Sequence, residues 1–175
     1  CGQSTEIRRV NEVESLYCTN PDCPAKKIKA FALFASRDAM NIDGLSEATL
    51  EKFIARGFIH DFGDIFEISR HREEIVTMEG FGEKSFENLM ASLEKARETT
   101  LAKVIYSLGI ANIGLANAKV ICRHFDDDLE KIRRADEEEV SSIDTIGPVI
   151  ARSLTEYFAD PENNRKLDHL MSHLA

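Results

Sequence analysis

Three cysteines, Cys1, Cys18 and Cys23, stand within the first 23 residues. Thiolates are the side chains best suited to a tetrahedral zinc-like cation, which takes four thiolate or imidazole ligands, commonly from two close pairs on tight turns. Gly2 and the run Asn20-Pro21-Asp22 supply turn-forming residues beside the cysteines, and Val10–Tyr17 reads as a short strand between them. One ligand is missing from the set. The nearest downstream imidazole, His60, is too far along the chain to close a compact knuckle, so the simplest completion is a further cysteine upstream of Cys1. A Cys18–Cys23 disulfide or plain free thiols are the alternative, but an odd, clustered set without a secretory signal suits metal better. Cys122, among Val120, Ile121 and Phe125, reads instead as a small buried apolar side chain.

A second kind of chemistry comes from the main chain. Four stretches align without gaps: NIDGLSEATLEKFI, TMEGFGEKSFENLM, GIANIGLANAKVIC and SIDTIGPVIARSLT. Each runs apolar, any, turn residue, apolar, Gly or Ser, then a helical pattern. The turn position holds Gly44, Gly80, Asn112 and Thr145, and the second small position holds Ser46, Gly82, Gly114 and Gly147. Beyond each turn, Leu50 and Phe53, Phe86 and Leu89, Ala118 and Ile121, and Ala151 and Leu154 keep one helix face apolar. Ser46 is placed to cap its helix and Pro148 suits a first helical position. An amphipathic segment such as Leu101, Val104, Ile105 and Leu108 precedes each turn, so the unit is helix, short hairpin, helix.

This repeat resembles the helix-hairpin-helix motif of DNA-binding proteins that do not read sequence. The resemblance implies that small residues let a phosphate approach the backbone, where N–H groups at the start of the second helix bind it with help from the helix dipole. A base or two near each start, Lys84, Lys119 or Arg152, then suffices. Asn112 accepts a positive φ tolerably and β-branched Thr145 does not, so the fourth hairpin is expected to be structural and the second, with both glycines, to be the strongest binder.

The composition sets a constraint on that reading. The chain has 175 residues, 22 Lys+Arg against 31 Asp+Glu and a net charge of −9, so bulk positive charge cannot be what holds nucleic acid. The acid is uneven: 126–139 carries eight acids and three bases, while 24–37 carries four bases and no acid. The acidic run lacks the spacing of a calcium loop and reads as a solvated face. No apolar run approaches the length of a membrane span.

A four-cysteine knuckle running into four helix-hairpin-helix units resembles the bacterial NAD+-dependent DNA ligases over essentially the whole chain, including Cys23-Pro24 and the basic helix PAKKIKAF. The resemblance implies a mainly α fold: a zinc knuckle with a basic linker over 1–30, its first ligand cysteine lying upstream, and a tandem helix-hairpin-helix domain over 31–175. It implies that Cys1, Cys18 and Cys23 hold a structural zinc. It implies DNA contacts at Gly44, Ser46, Gly80, Gly82, Lys84, Asn112, Gly114, Lys119, Gly147 and Arg152. It further implies a monomeric, cytoplasmic protein at the nucleoid that clamps nicked duplex DNA during replication and repair, beside the adenylation and oligonucleotide-binding domains of its parent chain. NAD+ would be used there and not here: the family's adenylated lysine lies in a K-x-D-G motif, and Asn41-Ile42-Asp43-Gly44 has no lysine. No hydrolase or nucleotide-binding motif is present, and His60, His71, His124, His169 and His173 read as surface or helix-end residues. The competing readings are a tandem-hairpin region of another DNA repair protein, or an acidic helical scaffold that touches no DNA.

Overall fold

The computed structural model describes all residues except Asn11, Pro21, Asp22 and the side chain of Val10, so the expected turn at Asn20-Pro21-Asp22 lies largely outside the described residues. The chain opens with an antiparallel hairpin, β1 (Thr5–Val10) and β2 (Val13–Cys18), in register Ile7 to Leu16 and Thr5 to Cys18. Every other element is helical. The helices are α1 (Pro24–Ala35), α2 (Glu47–Ala55), α3 (Phe62–Ile65), a 3-10 turn (Ile68–His71), α4 (Arg72–Ile75), α5 (Glu83–Ala96) and α6 (Leu101–Ser107). They continue with α7 (Leu115–His124), α8 (Leu129–Arg134), α9 (Glu137–Ser141), α10 (Pro148–Ala159) and α11 (Pro161–Met171). Among the described residues no helix is long and apolar enough to cross a membrane.

The four aligned stretches are the four places where the chain reverses between paired helices: α1 to α2, α4 to α5, α6 to α7 and α9 to α10. The stripes anticipated after each turn form the core. Leu50, Phe53, Leu89, Ala118, Ile121, Ala151 and Leu154 are fully buried and Phe86 nearly so. Val104 and Ile105 join them from α6, and Leu45, Ile113 and Ile146 plug the turns from inside. At one end Phe34 stacks on Phe62, with centroids 4.4 Å apart, and Phe31 meets the same ring edge-on. The basic helix expected over PAKKIKAF forms the first turns of α1, whose later residues Phe31, Phe34 and Ala35 enter the core.

Caps divide the helices into two kinds. Side chains of Ser46, Asp61, Thr100, Asp128, Asp136 and Asp160 accept first-turn N–H groups of α2, α3, α6, α8, α9 and α11. By contrast α5, α7 and α10 start on Gly82, Gly114 and Gly147, which offer no side-chain oxygen. A cap of the first kind contributes about 1 kcal/mol. Three hairpin helices forgo it.

All four turn positions are left-handed: φ is +90° at Gly44, +79° at Gly80, +65° at Asn112 and +71° at Thr145. The expectation that Thr145 would refuse this conformation is overturned. Ile143 and Ile146 on either side are buried, and that anchoring, with the turn bond from the Ile146 N–H to the Ile143 carbonyl, forces the exposed threonine between them to take it. A β-branched residue held there costs on the order of 1–3 kcal/mol. Because the Thr145 hydroxyl makes no hydrogen bond among the described residues, Thr145→Asn removes strain without removing a contact. It should raise the unfolding free energy by about 0.5–1 kcal/mol relative to the parent chain, measured by urea titration; an unchanged or lower midpoint contradicts the strain assignment.

Candidate nucleic-acid interface

The hairpins are arranged in two pairs, each locked by polar contacts between a turn and the second helix of its neighbour. In the first pair the Asp43 N–H donates to Ser92 Oγ on α5 (2.8 Å), and Gly44 lies against Leu89 of the same helix. Lys52 Nζ on α2 donates to the Glu79 carbonyl beside the second turn (3.0 Å). In the second pair Asn112 Nδ2 donates to Ser153 Oγ on α10 (3.0 Å). The Asn112 side chain is therefore committed to holding the third and fourth hairpins together.

The first pair encloses a shallow groove of about 570 Å³ whose walls include Gly44, Ser46, Thr49, Gly80, Ser85 and Asn88. Gly44, Ser46 and Gly80 are among the contacts expected from the sequence. Thr49 and Ser85, on the first turns of α2 and α5, and Asn88, on the second turn of α5, add hydroxyl and amide groups whose only signal in the sequence is a helical offset from the turns.

Gly82, Gly114 and Gly147 need not be glycine for the sake of the fold. Their φ values, −149°, −85° and −87°, are open to any residue. A Cβ built on any of them, or on Gly80, meets nothing within 4 Å. Their main-chain N–H groups find no protein acceptor among the described residues, whereas the N–H groups of Phe81, Ile113 and Ile146 close the turns onto Met78, Ile110 and Ile143. Each of these three starts therefore presents unpartnered amides to open space at the positive end of a helix dipole. Pro148 removes one such donor from the fourth. At the first hairpin Ser46 Oγ already accepts the Thr49 N–H, so that start is partly self-satisfied.

Charge near the starts is better balanced than the total suggests. Glu47 and Glu83, acids at the first position of α2 and α5, are paired with Lys29 (2.8 Å) and Arg72 (2.6 Å). Lys84 and Lys119 are exposed and have no acid partner among the described residues. Arg152 differs: its Nε lies 3.7 Å from Glu137 Oε1, so part of its charge is already engaged.

At the start of the chain, Cys1, Cys18 and Cys23 come together with all three Sγ atoms within 4.8 Å of one another, Cys1 and Cys18 being 3.6 Å apart. All are free thiols. Cys23 is buried at the cap position of α1, where the main-chain N–H groups of Lys26 and then Ala25 hold its thiol below the usual range. The Lys26 ammonium donates to the Cys18 carbonyl, tying the hairpin to α1. Such a trio can hold a metal ion. Cys122, by contrast, is buried within α7 and its thiol is pushed up to about 12 by desolvation and then by Asp127, so it stays protonated and inert. The five histidines lie at the surface or at helix ends; two of them, His169 in the last turn of α11 and His173 just beyond it, are half-buried in a cluster with Asp61 and Glu67.

Comparison with known proteins follows the same outline. Residues 103–167 match the helix-hairpin-helix motif family. Over 174 residues, 99% of its length, the chain is 56% identical to a DNA ligase of Lachnoclostridium phytofermentans and 47% identical to one of Ruminiclostridium cellulolyticum. It is 39% identical to a DNA ligase of Brevibacillus brevis over 170 residues. It spans only about a quarter of the length of these curated relatives, 27%, 26% and 25% in turn.

The sulfur geometry makes a direct prediction. Cobalt(II) added to the chain under reducing conditions should give intense thiolate-to-metal absorption in the near ultraviolet, and Cys18→Ser should remove most of it. Absorption that survives Cys18→Ser undiminished would mean that the trio does not act as one ligand set.

Proposed function

We propose that the chain is a segment of a DNA ligase bearing its helix-hairpin-helix region, the part of an NAD+-dependent ligase that clamps duplex DNA around a nick. One observation supports this above all others: glycines at the starts of α5, α7 and α10 that neither backbone angle nor internal packing requires, with unpartnered amides beside open space. A surface of that kind suits a phosphate, which needs both close approach and N–H donors.

On this reading the two locked hairpin pairs, within a domain spanning 31–175, grip sugar-phosphate backbone, and because they touch no base edges they act without regard to sequence. The amides of Gly80, Gly82 and Gly114 bind phosphate oxygens directly, and Gly44, Ser46 and Gly147 line the approach. Lys84 and Lys119 supply local positive charge, with a smaller share from Arg152. Asn112 serves by holding its pair in register. Cys1, Cys18 and Cys23, within a knuckle over 1–30, hold zinc with a fourth ligand from the rest of the parent chain. When bound, the zinc supplies a structural cross-link between β2 and the start of α1, and no reaction step. The lysine that becomes adenylated and the NAD+ site belong to other domains of the parent, which acts as a cytoplasmic monomer at the nucleoid in replication and repair.

The amide clamp has a measurable signature. With only about three local cations neutralising phosphates, affinity for a short nicked duplex should fall by about 40-fold between 50 and 200 mM salt, at roughly 0.9 log units per log unit of salt for each contact. Joint Gly82→Val and Gly114→Val substitution, which both backbone and space permit, should lower affinity by at least tenfold in fluorescence anisotropy while shifting the melting temperature by no more than about 2 °C. Undetectable binding by the unsubstituted 175-residue chain at the lowest salt, or full affinity in the valine pair, would favour an acidic scaffold instead.

A further inference from the structure

The half-buried cluster between α3 and the end of α11 is used by nothing above. His169, in the last turn of α11, points both ring nitrogens at carboxylates: Nδ1 is 2.9 Å from Asp61 Oδ1 and Nε2 is 2.8 Å from Glu67 Oε2. His173, four residues on, places Nε2 3.9 Å from the same Glu67 oxygen. The Glu67 oxygen and the ring nitrogens of His169 and His173 all lie within 4.8 Å of one another. We propose that Glu67, His169 and His173 form a three-ligand site for a nitrogen-preferring transition-metal dication such as Zn2+, separate from the cysteine trio.

The surroundings resemble those of a built site. A metal-bound imidazole ordinarily donates its other N–H to a carboxylate, which fixes tautomer and ring orientation, and Asp61, with a side chain only 9% exposed, stands in that place. At 2.8 Å from Glu67 Oε2, Nε2 shares a proton with that carboxylate when no metal is bound. A dication that takes the place of that proton gains the Nε2 lone pair while Nδ1–H stays on Asp61. The other Glu67 oxygen is occupied by Arg70 (2.7 Å), which leaves Oε2 for the metal and holds the carboxylate still. The ring can come this close only because residue 63 is glycine: a Cβ there would sit 2.6 Å from Nδ1. Tetrahedral coordination at 2.0–2.1 Å needs donors about 3.3 Å apart, and the separations of 2.8 and 3.9 Å to Glu67 bracket that value. Two imidazoles and one carboxylate favour Zn2+, Co2+ or Ni2+ over Mg2+ or Ca2+. Partial exposure of all three side chains leaves a path from solvent and a fourth position for water. The ion would clip α11 to the segment after α3, two parts of the chain about a hundred residues apart.

The test uses the full chain carrying Cys1→Ser and Cys18→Ser, so that the trio cannot mask the second site. Expected is uptake of one Co2+ or Zn2+ per chain by calorimetry, with weak cobalt absorption that lacks the thiolate-to-metal band, and a rise of several degrees in melting temperature with Zn2+. His173→Gln or Glu67→Gln in that background should weaken binding at least tenfold, and Asp61→Asn, which can still cap α3, by about 10- to 100-fold. In the unaltered chain, Zn2+ should shift the Nε2 nitrogen resonances of His169 and His173 together, a readout that needs no variant to fold. Absence of uptake in the serine background, undiminished uptake after His173→Gln, or unmoved imidazole resonances would each overturn the proposal.

Discussion

A single backbone constraint organises this molecule: one residue in each of four turns must take a left-handed conformation. That residue lets the chain reverse within a few positions while the apolar residues before and after it both point inward, Met78 and Ile110 paired with the Phe81 and Ile113 amides that close the turn. The next residue but one then begins a helix with its N–H groups facing outward. Burial on one side of the turn and exposed donors on the other are two faces of the same geometry. The strain tolerated at Thr145 shows how strongly the flanking isoleucines enforce it.

The arrangement also explains how a chain of net charge −9 can present surfaces suited to an anion. The donors are neutral amides, whose strength depends on orientation and not on the total charge. The acids at the starts of α2 and α5 are matched by Lys29 and Arg72 within 3 Å. Much of the remaining acid lies around α8 and α9, where Asp128 and Asp136 serve as caps.

Much of this was readable from the sequence because the repeat and the helical spacing are local properties. The buried stripe from Leu50 to Leu154, the cap at Ser46, Pro148 at a helix start and the clustering of three early cysteines all follow from residues close together in the chain. What escaped was set by distant partners. Arg152 reads as a free cation until the fold brings Glu137 beside it. Asn112 reads as a φ-tolerant turn residue, and only the fold reveals its bond to Ser153. His169 and His173 look like solvent residues in the sequence because the carboxylates that receive them lie about a hundred positions earlier. Thr145 was misjudged for a related reason: propensity is a local quantity, and the burial that overrides it is not.

The last helix has a bearing on how the chain comes to be folded. α11 covers α3; its Leu167 and Leu170 are buried, His173 stacks on Phe66, and the Arg97 side chain and carbonyl meet His173 and Ala175. During synthesis from the N-terminus, the first pair of hairpins emerges from the ribosome long before this lid exists. The phenylalanines around α3 must wait, partly uncovered, until α11 appears. A nascent chain stalled before α11 would thus present an aromatic patch for chaperones to recognise.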